Sequence, residues 1–175
     1  MDLTYQLLLD YSLFRLSTSS VSELKLKKYY PLAKPDILKQ HLRFLGHKYA
    51  AQLKCWPRLT DKLDFSVFLY DEFRAIVSSA FEKTTKIDAM FIFMYFELVS
   101  VMVIFSVSTN INGDNVQEIC QFASAYFHSS TKVQDFLFHS EHGWYTFLTA
   151  EYTKAKEQQK DTFEYWLDVI KQEAL

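Results

Sequence analysis

The chain has 175 residues and a formal net charge of −2 at pH 7, with only three Gly and three Pro but 16 Phe and 11 Tyr. That length suits a single domain, residues 1–175, and the scarcity of turn-forming residues argues against sandwiches and barrels. The near-neutral charge gives no electrostatic reason to expect nucleic acid or an anionic membrane surface as a partner. We therefore expect an all-α domain that binds no nucleic acid.

Cysteine usage and the N-terminal residues indicate the compartment. Cys55 and Cys120 are too few for a disulfide framework. Cys120 falls on an apolar helical face, where a buried free thiol is expected. The first residues include Asp2 and lack the basic and then apolar arrangement of a signal peptide. An intracellular, cytoplasmic location is the resulting expectation.

The first half of the chain carries amphipathic helical patterns. Apolar residues recur on one stripe over Leu3–Leu16, and a basic linker follows. Pro35 and Asp36 are typical of a helix start, which predicts a helix over Ile37–Lys54. A shorter and less regular segment, Leu59–Phe68, comes next and leads into Asp71–Phe81, where the apolar residues form another helical stripe.

The second half of the chain carries one clear turn and further helical patterns. Asn110–Asn115 predicts the turn, and an amphipathic helix follows it over Val116–His128. Beyond Ser129 the pattern predicts three more helices, Val133–Phe138, Gly143–Tyr152 and Lys160–Ala174.

Between these halves lies the most apolar segment of the chain, Ala89–Val107, in which only Glu97 is charged. A run of that length could span a bilayer. However, a carboxylate near its middle is costly in lipid, and the amphipathic helices need a surface to pack against. We expect this run to be the buried central helix of a bundle with no integral membrane span. Glu97 is expected either at the surface or paired with Lys or Arg.

Four segments resemble the homology motifs of the Bcl-2 family, in the family's order and with family-like spacing. In chain order they are DYSLFRLS (Asp10–Ser17), LRFLGHKY (Leu42–Tyr49), FELVSVM (Phe96–Met102) and HGWYTFL (His142–Leu148). They resemble the fourth motif, the third motif, the segment that follows the first motif, and the second motif, respectively. Leu42 and Gly46 have the spacing of the third motif, and Gly143 and Trp144 that of the second. The chain thus looks like a divergent family member, similar to those carried by large DNA viruses.

The resemblance implies a Bcl-2-like helical bundle with a surface groove that binds amphipathic helices. The implied partners are BH3-type helices of pro-apoptotic Bcl-2 family proteins, and the implied role is anti-apoptotic. It also implies peripheral association with the mitochondrial outer membrane and no cofactor. The expected groove residues lie on four parts of the chain: the 37–54 helix, the 59–81 region, the start of the central helix and the Gly143 turn. They are Tyr49, Leu53, Leu63, Phe73, Ile76, Val77, Asp88, Phe91, Phe93, Gly143 and Trp144.

Two departures from the family pattern change these expectations. The Asn-Trp-Gly-Arg of the first motif aligns with Asp88–Phe91, so Phe91 stands where the family has an Arg that pairs with an Asp of the ligand helix. Arg74 and Lys86 are candidate replacement cations. Without that ion pair, affinity must come from apolar contacts, which predicts a narrowed ligand range. The chain ends in KQEAL and so carries no hydrophobic C-terminal anchor; either this member never had such a tail or the tail was removed.

Other functions match the sequence less well. His139 and His142 are three residues apart, but no further residue completes a familiar ligand set, so we expect no metal site. The sequence has no phosphate-binding loop, nucleophile elbow or paired-carboxylate motif, which argues against an enzyme. One alternative is a Bcl-2-fold adaptor that inhibits host signalling, or a self-associating homodimer, with the groove blocked. A pore-forming effector is a third possible function, after the groove-bearing regulator and the adaptor.

Overall fold

The structure of the chain is a computed structural model. It describes residues 2–17, 36–52, 75, 78–79, 81–109, 116–139 and 142–173. Most of these residues belong to helices. The helices are α1 (Leu3–Ser17), α2 (Ile37–Gln52), α3 (Ala89–Thr109), α4 (Val116–Ser129), α5 (Thr131–Leu137) and α6 (Gly143–Glu173). Residues 75, 78–79 and 81–83 are also helical, and no strand occurs in these ranges. The all-α prediction is confirmed for this part of the chain.

The predicted central helix is α3, which extends to Thr109. It begins after Asp88, whose Oδ1 accepts a hydrogen bond from the Phe91 N–H at 2.8 Å, as in an N-cap. Its buried residues cover most of its circumference, while Met90, Met94, Leu98 and Val101 on the remaining face are half-buried. Helices α1, α2 and α4 all pack against it. Of the helices that the structure describes, none has both the length and the hydropathy needed to cross a membrane.

The contacts between α3 and α4 agree with the predicted pairing of these two helices. Tyr95, near the start of α3, donates to the Ala123 carbonyl at 2.7 Å and packs against Phe127 toward the end of α4. These contacts fit the predicted antiparallel pairing of α3 and α4. The turn predicted between them at Asn110–Asn115 lies outside the described residues. So do the basic linker, the less regular Leu59–Phe68 segment and most of the helical stretch predicted over Asp71–Phe81.

The last helix corrects the sequence analysis. Two helices are predicted there, Gly143–Tyr152 and Lys160–Ala174, but α6 is one continuous helix of 31 residues. The intervening TKAKEQQK (Thr153–Lys160) has no Gly or Pro and consists mostly of strong helix formers. Its polar residues interrupt the apolar stripe without ending the helix.

Candidate helix-binding site

Residues from the four motif segments form one connected set of contacts, here called the motif core. The set consists of Tyr11, Gly46, Phe96, Glu97 and Trp144. Tyr11 on α1 donates its phenol hydrogen to the Glu97 carboxylate on α3. The rings of Tyr11 and Phe96 lie 5.9 Å apart between centroids, and those of Phe96 and Trp144 lie 5.6 Å apart, both edge-on. Segments that are distant in sequence thus meet around the middle of α3.

Gly46 allows α2 to approach α1 closely. A Cβ atom built on Gly46 would overlap the ring of Tyr11, which is fully buried. The ring cannot move aside freely, because its hydroxyl is bonded to Glu97 and its edge packs on Phe96. Glycine is therefore required by packing at this helix crossing.

Glu97 is a buried charge with two partners on α1. Its side chain is 1% exposed, and Arg15 approaches both carboxylate oxygens, with Nε 3.1 Å from Oε1 and Nη2 3.3 Å from Oε2. Burial first, and then the neighbouring Glu97 charge, raise the pKa of Tyr11, so the phenol stays protonated and donates. Of the two expectations for Glu97, pairing with an Arg is the one observed.

Gly143 and Trp144 form a packed joint between α5 and α6. A Cβ on Gly143 would overlap the backbone oxygen of Leu137, the last residue of α5. Trp144 is 3% exposed, and its indole Nε1 donates to Thr4 Oγ1 on α1 at 2.8 Å. Its ring also stacks on Phe127 at 5.7 Å. Trp144, which was expected with Gly143 to close one end of the groove, is thus a core residue: aromatic rings enclose its indole and its N–H is satisfied inside the bundle.

Phe93 and Tyr49 connect α3 to α2 and α6. Phe93 is fully buried between two rings, Tyr49 at 4.6 Å and Phe147 at 6.0 Å. The half-buried Tyr49 donates from its hydroxyl to Glu151 at 3.2 Å. Burial and the Glu151 charge raise the pKa of Tyr49 to about 12. Tyr49 thus covers Phe93, and a docking helix would reach Phe93 only after Tyr49 moved.

The family resemblance predicts that Phe91 faces the ligand groove, but in the structure this side chain is buried. It is 6% exposed, and Phe81 packs edge-on against it with ring centroids 4.7 Å apart. The Phe81 segment is held in place by Lys132, whose Nζ lies 2.6 Å from the carbonyls of both Phe81 and Thr84. A Phe at this position is drawn into the core, where the charged Arg of the family would stay at the surface. That expectation is corrected here.

The structure describes only some of the remaining residues that were predicted for the groove or as replacement cations. Asp88 is exposed and serves as the N-cap of α3, and the candidate cation Lys86 is also exposed. Arg74 lies outside the described residues. So do the other predicted lining residues, namely Leu53, Leu63, Phe73, Ile76 and Val77.

A cleft between α2 and α6 was not predicted from the sequence. Beside Tyr49 lies a cavity of about 180 Å³, lined by Lys48, Tyr49, Glu151, Lys154, Ala155 and Gln158. Lys48 donates to Gln158 across it at 2.8 Å. A shallower depression of about 410 Å³ continues from Lys48 to Phe163. The sequence feature that could have predicted this cleft is the spacing of Glu151, Ala155 and Gln158 on one helical face. It was missed because a break between two helices was predicted within α6.

The described residues give little basis for metal or thiol chemistry. No group of three or more His, Cys, Asp or Glu in the described ranges is arranged to hold a metal ion. Cys120 is a free, buried thiol, as expected. Burial raises the pKa of that thiol to about 12, which keeps it protonated and unreactive at neutral pH.

Comparisons of this chain with models of known protein families, with curated proteins and with solved structures find no significant match.

Proposed function

We propose that the chain is a Bcl-2-like anti-apoptotic regulator that binds BH3-type helices of pro-apoptotic proteins in an apolar groove. The observation that carries the proposal is the motif core. Four segments that resemble family motifs, in the family's order, supply residues that contact one another around a buried apolar helix. The proposed site of action is the cytoplasm, with peripheral association at the mitochondrial outer membrane.

The proposed groove is closed in its described part. Phe81 covers Phe91 and Tyr49 covers Phe93, so a ligand helix must displace one or both covering rings. An apolar side chain of the ligand then takes the place of each displaced ring. Burial of four such side chains contributes roughly 1.5–3 kcal/mol each to the binding free energy, before the cost of association is subtracted. Because Phe91 offers no charge to the ligand's Asp, the site favours ligands whose apolar anchors suffice.

Fluorescence titration of labelled BH3 peptides against the full chain and two matched tyrosine variants tests this site. We expect Tyr49→Ala to change the dissociation constant, because Tyr49 covers the site. Tyr145→Ala removes a tyrosine that is 55% exposed on α6 and should leave the constant unchanged. Equal effects of the two variants on a bound peptide would place its binding site elsewhere.

A blocked-groove adaptor is the second candidate, and the burial of Phe91 favours it. In that case the chain would act through another surface, and the Phe81–Phe91 contact would be a permanent part of the core. The two functions differ in one simple outcome. An adaptor binds no BH3 peptide even when Phe81→Ala uncovers Phe91, whereas a groove-bearing regulator binds more tightly once that cover is removed.

A further inference from the structure

The far end of α6 presents most of the exposed apolar surface in the described residues. Across the whole described part of the chain eight large hydrophobic side chains are exposed, and five of these eight lie between Phe163 and Ile170. Four of the five recur at i, i+3, i+4 and i+7, which places them on one face of the helix. We call this set, Phe163, Trp166, Leu167 and Ile170, the α6 stripe.

The α6 stripe continues the face that α6 turns toward the bundle. Leu148 and Ala155 are buried on that face, and Trp166 follows Ala155 by eleven residues, a spacing that returns to the same side. No residue of 156–173 is buried, although this segment extends about 27 Å at helical rise. A core-type apolar face therefore extends past the part of α6 that the bundle covers.

The charged residues around the α6 stripe indicate which kind of partner it can bind. Residues 156–173 carry three Lys against five Asp and Glu, which disfavours an anionic membrane surface. Glu164 and Lys171 lie seven residues apart on the same edge of the stripe, and Lys160 on that edge is 3.9 Å from Glu164. When a second, identical helix packs antiparallel on the stripe, Glu164 of one helix lies opposite Lys171 of the other.

We propose that two copies of this chain associate through antiparallel pairing of their α6 stripes. Trp166 packs against Ile170 of the partner subunit, and Glu164 lies beside Lys171 of the partner subunit, each contact occurring twice. A parallel pair would bring both bundles to the same end and, because the stripe is on the bundle-facing side, into the same space. Antiparallel pairing places the bundles at opposite ends.

The size of the interface predicts a dimer of moderate strength. The exposed parts of the four side chains offer on the order of 400 Å² per copy. With flanking polar atoms, two copies bury about 1,200 Å², the lower limit for specific interfaces. A micromolar dissociation constant is therefore expected. This association goes beyond the proposed peptide binding and does not depend on it.

Analytical ultracentrifugation of the full chain under reducing conditions tests the surface. We expect a monomer–dimer equilibrium at micromolar concentration, and Ile170→Glu should weaken it about a hundredfold because the change puts a charge in the apolar centre. The matched control is Tyr165→Glu, which puts the same charge on the opposite side of α6 and should leave the dimer intact. A wild-type chain that stays monomeric at about 100 µM, or a dimeric Ile170→Glu, overturns the proposal.

A charge exchange tests the antiparallel orientation. Glu164→Lys should weaken the dimer about three- to tenfold, because two favourable pairs become repulsive. Adding Lys171→Glu to that variant should restore the dimer. Failure of this rescue rejects the antiparallel arrangement. Peptide titration of Ile170→Glu then separates the two proposals, since loss of the dimer should leave BH3 binding unchanged.

Discussion

The phenol of Tyr11 donates a hydrogen bond to the carboxylate of Glu97 and so joins α1 to the middle of the buried helix α3. Arg15, one turn further along α1, contacts both oxygens of the same carboxylate. An isolated charge inside an apolar helix would be strongly unfavourable, and these two groups compensate it. The pair thus explains how the most hydrophobic segment of the chain accommodates an acid.

Tyr11→Phe removes the phenol donor and leaves the buried Glu97 with Arg15 alone. We expect the free energy of unfolding to fall by roughly 1.5–3 kcal/mol, the range for a hydrogen bond to a charged group. Urea denaturation measures it. Tyr165→Phe makes the same chemical change at a side chain that is 63% exposed and should shift stability by less than about 0.5 kcal/mol. Equal stability of the two variants would contradict the role given to Tyr11.

Gly143→Ala should destabilise the joint between α5 and α6. The added methyl overlaps the Leu137 carbonyl, and backbone must move to relieve it, so we expect a loss of about 3 kcal/mol. Thermal denaturation followed by circular dichroism measures the change. Thr146→Ala, at an exposed position in the same turn of α6, is the control and should remain near wild type. A wild-type Tm for Gly143→Ala would show that the joint is looser than described.

Trp144→Ala should cost roughly 3–5 kcal/mol, because it empties a buried aromatic site and leaves Thr4 Oγ1 without its donor. Trp166→Ala is the matched control, since that indole is 58% exposed. Denaturation is measured at low protein concentration, where association through α6 does not contribute. Similar losses for the two tryptophans would be inconsistent with the burial of Trp144.

His41 should make the fold sensitive to mild acid. Its ring stacks on Tyr152 at 3.9 Å, and burial lowers its pKa below the ordinary 6.5. The unfolded chain therefore takes up a proton more readily than the folded one. The stability contributed by neutral His41 is fully present above pH 6.5 and is lost as the pH falls through the lowered value.

Replacing the histidine tests this directly. His41→Phe keeps the aromatic stacking and should flatten the decline in unfolding free energy between pH 7 and pH 5, as measured by urea denaturation across that range. His47→Phe, at an exposed position on the same helix, should retain the wild-type decline. A decline that persists in full in His41→Phe would assign the acid sensitivity to other groups.

Periodicity located the helices better than it located their ends. The boundaries of α1 and α3 agree with the predictions to within two residues, because each apolar pattern ends at a clear change of composition. The polar stretch Thr153–Lys160 looked like a gap between two helices. An interrupted apolar stripe indicates where packing stops, whereas only a helix-breaking residue indicates where a helix stops.

The candidate site was harder to predict, for a physical reason. An apolar stripe at helical spacing serves equally well as core or as groove, and only the neighbouring elements decide between them. Trp144 and Phe91 were expected at the groove, but Thr4 and Phe81 enclose them in the bundle. Tyr49 and Phe93, both expected to line the groove, contact each other in the structure. Glu151, which fixes Tyr49, could not be inferred without knowing that α6 passes α2 there.

Phe91 links the family resemblance to a measurable ligand preference. Family members carry an Arg at this position that pairs with the ligand's Asp, and that charge-assisted contact is worth roughly 1.5–3 kcal/mol. With Phe91 in its place, affinity for a bound BH3 peptide should hardly depend on the Asp. Phe91→Arg should restore the dependence and broaden the range of peptides that bind.

The most direct test of the proposed function is calorimetric titration of the full chain with a panel of BH3 peptides, each paired with its Asp→Ala variant. The proposal predicts that a subset of the panel binds one to one at micromolar concentration or tighter. Within that subset, the Asp→Ala change should alter the binding free energy by well under 1.5 kcal/mol. A chain that is folded and binds no peptide of the panel at micromolar concentration would contradict the helix-binding function.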